Sequence, residues 1–124
     1  MSVNPPPGAQ DPTAVYIAAM SASHWKTRWQ AAQALGELSD TRAVPPLVKA
    51  LDDSNQWVRI VAAEALGQIG DPEAVPHLVN ALDDSSIWVR RASVVALGHI
   101  GAPQSITPLL ERLLRPPDCE WPEE

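Results

Sequence analysis

A metal centre or a nucleophilic site needs its ligands, or its nucleophile and base, at a spacing that one fold can bring together. The candidates here are few: three histidines and a single cysteine. His24, His77 and His99 are followed by Trp25, Leu78 and Ile100, so no histidine has an acidic neighbour. In the internal register described below, His24 aligns with Asn55 and Ser86, His77 with Pro46 and Pro108, and His99 with Gln68 and Glu37. These are different repeat positions, so the histidines share no ligand spacing and read as solvated or partly packed side chains. Cys119 sits between Asp118 and Glu120, acidic neighbours that disfavour the reactive thiolate. There is no glycine-rich phosphate loop and no Ser/His/Asp set. What remains is a set of five tryptophans, better suited to holding something than to converting it.

Composition narrows the partners. The net charge of −6 and pI near 4.9 argue against nucleic acid, which needs a basic face, and against an anionic membrane surface. No apolar run reaches the roughly 18 residues that a membrane span requires. A lone cysteine leaves no internal disulfide framework. The opening "MSVNPPPGAQ" lacks the basic and apolar regions of a signal peptide. A cytoplasmic protein is expected.

The elements that position these residues follow from an internal repeat. "WVRIVAAEALGQIGD" at Trp57–Asp71 returns as "WVRRASVVALGHIGA" at Trp88–Ala102, 31 residues on. It is preceded, at the same distance, by "KTRWQAAQALGELSD" at Lys26–Asp40. Arg28, Arg59 and Arg90 fall in register, as do Leu35, Leu66 and Leu97, and Gly36, Gly67 and Gly98.

Each unit reads as two helices. In the shorter, A, Asp71 caps, Pro72 fits position N1, and Val75, Leu78, Val79 and Leu82 make one apolar stripe. Pro76, about a turn in, predicts a tight or irregular start. In the longer, B, Ser54 is the expected cap, Val58, Ala62, Ala65, Leu66 and Ile69 form the stripe, and Gly70 is a left-handed stop. Gly67, inside that helix at a cost of about 1 kcal/mol relative to Ala, predicts a close helix approach. Helices are expected at about 12–20, 24–38, 42–51, 55–69, 73–82, 86–100 and 104–114, with no strand. They form one domain over 12–114, between a flexible Pro-rich start (1–11) and an acidic, Pro-containing tail (115–124).

The openings "DPEAVPHL" and "VRIVAAEALGQIG" resemble HEAT-like repeats, more narrowly the short type named after phycobilisome (bilin) lyases. The resemblance implies an all-α solenoid of stacked helix pairs, about three and a half repeats with period 31. It also implies that an Asp in the A–B turn and the Arg six residues on, Asp53 with Arg59 and Asp84 with Arg90, brace the stacked turns. Ala22 stands where the Asp before Arg28 would be, which puts that rung in question. HEAT-like relatives of deoxyhypusine hydroxylase hold iron with adjacent His-Glu pairs, absent here. HEAT-like DNA glycosylases line their groove with basic residues, whereas Lys26 and Arg91 here face Glu37 and Glu64.

At about 100° per residue, Trp57, Val61, Glu64 and Gln68 cluster about 110° from the apolar stripe of B. In HEAT-like solenoids such positions line the concave side. The corresponding surface holds Trp25, Trp29 and Gln33 in the first unit, Trp57, Ile60, Val61 and Glu64 in the second, and Ile87, Trp88, Arg91, Val95 and His99 in the third. Aromatic anchors with a polar surround have the composition of a protein interface; the other reading is that the indoles lie flat between neighbouring B helices and close the core. The expected function is a non-catalytic scaffold, without cofactor or metal, that binds a partner protein, a peptide or itself. Ile106, Leu109, Leu110, Leu113 and Leu114 on the last A helix have no following B helix to cover them, so a homodimer is a special case. The alternative is a lyase-like subunit that holds a linear tetrapyrrole, with His99 beside it, for transfer to a protein cysteine.

Overall fold

The computed structural model describes residues 11–101. Among them are six α-helices and no strand: α1 (Pro12–Ala19), α2 (Trp25–Leu38), α3 (Val44–Ala50), α4 (Gln56–Ile69), α5 (Val75–Ala81) and α6 (Ile87–Ile100). The helix expected at 104–114, and the dimer argument that rests on it, lie outside the described residues.

The long helices stack side by side, α2 on α4 and α4 on α6, and α1, α3 and α5 each pack against the long helix that follows them. This is the all-α stack of helix pairs expected from the repeat. A helix with one apolar stripe has to bury it against another element, and stacking pairs does so continuously. Leu35, Leu66 and Leu97, one from each long helix, are fully buried, as are Leu47, Leu78, Val58 and Val89.

Local signals set the boundaries. Asp71 accepts from the Glu73 N–H at 2.9 Å and Asp40 from the Arg42 N–H at 2.9 Å. Each opens a 3-10 turn, Pro72–Ala74 and Thr41–Ala43, before α5 and α3. That is the irregular start that Pro76 requires. The cap of α4 is Asn55 rather than Ser54: its Oδ1 accepts from the Trp57 and Val58 N–H groups at 2.8 and 3.4 Å. Ser54 lies one residue too early to reach those donors. His24 has the same job on α2, its Nδ1 accepting from the Lys26 N–H at 3.1 Å. Gly70 and Gly101 end α4 and α6 with φ of 76° and 84°. Ser39, in register with them, ends α2 at φ 53° without a glycine's freedom.

The arginine ladder corrects the expectation about its first rung. Arg28 does pair, through Nε and Nη2, with Asp53 at 2.7 and 3.0 Å. Arg59 pairs likewise with Asp84 at 3.0 and 3.3 Å. Arg28 and Arg59 each take the acid of the next unit, so Ala22 removes nothing from Arg28. The acid six residues before each arginine contributes its backbone carbonyl instead: Arg59 Nη1 donates to the Asp53 carbonyl at 2.8 Å, and Arg90 Nη1 to that of Asp84 at 2.9 Å.

Candidate protein interface

Three tryptophans stand in the first turns of the long helices, where the caps fix the direction of the chain, and Trp29 lies one turn beyond Trp25 on α2. Trp25 opens α2, while Trp57 and Trp88 are the second residues of α4 and α6. Trp57 is 51% and Trp88 55% exposed, whereas Trp25 and Trp29 are half-buried against the core. Lys26 Nζ lies 6.0 Å from the Trp25 ring centroid and the Arg91 guanidinium 5.7 Å from that of Trp88. Such cation–π contacts contribute about 0.5–1 kcal/mol at exposed sites, here holding long cationic side chains against the indoles.

Two apolar grooves run between the long helices. One, of about 300 Å³, lies between α2 and α4 and is lined by Trp25, Lys26, Trp29, Gln30 and Trp57. The other, of about 310 Å³, lies between α4 and α6 and is lined by Trp57, Ile60 and Glu64 from α4 and by Trp88, Arg91, Ala92 and Val95 from α6. Trp57 belongs to both. It also borders a polar hollow of about 430 Å³ at the helix N-termini, formed with Ser54, Asn55, Gln56, Arg59, Ser85 and Ser86.

The grooves thus gather Trp25, Trp29, Trp57, Ile60, Glu64, Trp88, Arg91 and Val95 of the surface expected from sequence. Gln33, Ile87 and His99 are exposed but line neither groove. Val61 is a correction: it is only 5% exposed and belongs to the core, so it has no surface to offer a partner. It sits on the flank of α4 between the buried stripe and the exposed one, and neighbouring helices cover that flank. The polar hollow went unread, although Ser54 and Ser85, in register, hinted at it.

His24, His77 and His99 are exposed on separate helices or caps. No cluster of three His, Cys, Asp or Glu able to hold a metal occurs among the described residues. None of the described helices is long and apolar enough to cross a membrane.

The family model for HEAT repeats matches residues 13–88 and 74–120. The chain belongs to the HEAT-repeat family. HEAT repeats generally mediate protein–protein interaction, and the family is typically non-catalytic. No curated protein matches the chain by sequence.

Proposed function

We propose that the chain is a non-catalytic scaffold whose tryptophan-lined grooves hold a partner protein or peptide, a second copy of the chain being one such partner. The observation that carries this reading is the position of Trp57, half-exposed and bordering both grooves. An indole presents a large rigid surface at little entropic cost, and interface hot spots are enriched in Trp and Arg. Here Arg91 beside Trp88 and Trp57 beside Ile60 supply both kinds of anchor. The neighbouring Gln30, Glu64 and Lys26 provide the polar surround of an interface.

The test is the double variant Trp57→Ala/Trp88→Ala. Self-association is read by sedimentation and partner binding by affinity capture with quantitative mass spectrometry. The variant should keep its helical circular dichroism and lose association, each anchor being worth about 2–4 kcal/mol. A folded variant with unchanged mass in solution and an unchanged set of captured proteins defeats the proposal.

A further inference from the structure

Arg28, Arg59 and Arg90 recur at intervals of 31 residues and are anchored alike. In each, Nη1 donates to the carbonyl six residues back: Ala22 at 2.9 Å, Asp53 at 2.8 Å and Asp84 at 2.9 Å. With one corner of a planar guanidinium fixed by the same backbone bond, the Nε–Nη2 edge is presented in the same sense along the stack. On Arg28 and Arg59 that edge is filled by a carboxylate located 25 residues further along, Asp53 and Asp84.

Arg90 differs. It is the most buried of the three, 3% exposed, and its buried Nε has no hydrogen-bond partner among the described residues. The residue 25 positions on is Arg115, which cannot serve. A guanidinium withdrawn from water with a donor left open is costly, and buried charges in proteins are paired. The edge also has the fork geometry that matches a carboxylate with two parallel bonds.

We propose that the Nε–Nη2 edge of Arg90 is a carboxylate-binding site, taking one Asp or Glu side chain in the bidentate manner of Arg28 with Asp53. Two sources can supply that carboxylate. One is an out-of-register acid of the same chain, Glu111, Asp118, Glu120, Glu123 or Glu124. The other is an acid on a different protein stacked beyond α6. A second copy stacked in register is not the source, because it would bring Ala22 to the position that Asp53 and Asp84 occupy.

The experiment follows the Nε–Hε resonances of the full-length chain by 15N NMR, with Arg28 and Arg59 as internal references. Each of the five acids is changed singly to its amide, then all five together, and the fivefold variant is titrated with acetate. If the chain supplies the partner, one single substitution moves the Arg90 resonance and leaves those of Arg28 and Arg59 in place. If another protein supplies it, no single substitution moves Arg90, and acetate shifts its resonance saturably while the reference arginines stay still. An Arg90 resonance that neither the substitutions nor acetate can move overturns the proposal.

Discussion

Gly67 lies against Ala96 so closely that a Cβ added to the glycine would stand 2.7 Å from the Ala96 Cα. The same contact recurs one unit earlier, where a Cβ on Gly36 would stand 2.9 Å from the Ala65 Cα. Gly98, third in the series, has nothing within 4 Å among the described residues. Three glycines in one register thus divide into two that permit helix approach and one that does not. In an exposed helix interior Ala is favoured over Gly by about 1 kcal/mol. Gly98→Ala is therefore expected to stabilise the chain by up to about 1 kcal/mol. Gly67→Ala, which collides with backbone, is expected to destabilise it despite the same gain in propensity. Equal shifts in urea midpoint would show that the close approach has no energetic consequence.

The left-handed end of α2 offers a second comparison. Ser39 holds φ 53° where Gly70 and Gly101 hold the equivalent places. A side chain in that region costs roughly 1–2 kcal/mol, partly offset by the entropy that glycine loses on folding. Ser39→Gly should raise stability by about 0.5–1 kcal/mol in chemical denaturation. A loss would mean that the bond from Ser39 Oγ to the Gly36 carbonyl, 3.2 Å long, outweighs the strain.

Core and surface positions should separate cleanly. Leu66→Ala removes a fully buried side chain between stacked helices and is expected to cost about 2–5 kcal/mol. Gln33→Ala, at an exposed position of α2, should change stability by less than about 0.5 kcal/mol. The same denaturation series places the tryptophans. Trp57→Ala and Trp88→Ala, each about half exposed, should be milder than Trp29→Ala, which packs on the core.

The acid side of the stability profile follows from the ladder. Burial pushes the Asp53 carboxyl up, but the Arg28 side chain, the Asn55 N–H and the charges of Arg28 and Arg59 together bring it below its ordinary 3.8. At Asp40 the Arg42 side chain and backbone N–H lower the carboxyl to about 2. Groups with depressed folded values stabilise the fold above their unfolded value, and this contribution fades as pH falls through the folded one. Stability should therefore hold above about pH 4 and decline between about pH 4 and 2. Asp53→Asn should flatten that decline, and a thermal-melt series against pH reads it directly. An Asp53→Asn profile that falls as steeply as the parent's would remove the ladder from the explanation.

The repeat made the fold legible because period and stripes agreed in every unit, Leu35, Leu66 and Leu97 repeating the core, while the glycine stop recurs at Gly70 and Gly101 and Ser39 takes its place in the first unit. Direction was harder to read. The resemblance sets Asp53 with Arg59, six residues on, yet the carboxylates are taken by the arginine of the unit before, Asp53 by Arg28 and Asp84 by Arg59. Nothing in a one-dimensional register distinguishes a partner on the same turn from one stacked above it. The exposed face of α4 was legible as a set of angles, but angles alone left Val61, 5% exposed, on the wrong side of the line. Whether a residue at the margin of a stripe is covered depends on how closely the neighbouring helix comes. The glycines that set this distance stand further along the helix.

The offset between each arginine and its acid also bears on how such a chain can grow. Any stretch of 31 residues within 23–101 carries one arginine of the ladder and one of its aspartates. Copying 54–84, for example, duplicates Arg59 and Asp84 together. In that copy the inserted Arg59 finds the inserted Asp84, 25 residues on. Duplication in tandem of any such stretch therefore lengthens the array without leaving a new charge unmatched. The open edge of Arg90 keeps its place in the last of the described units, so the described array can gain length while that site is inherited unchanged.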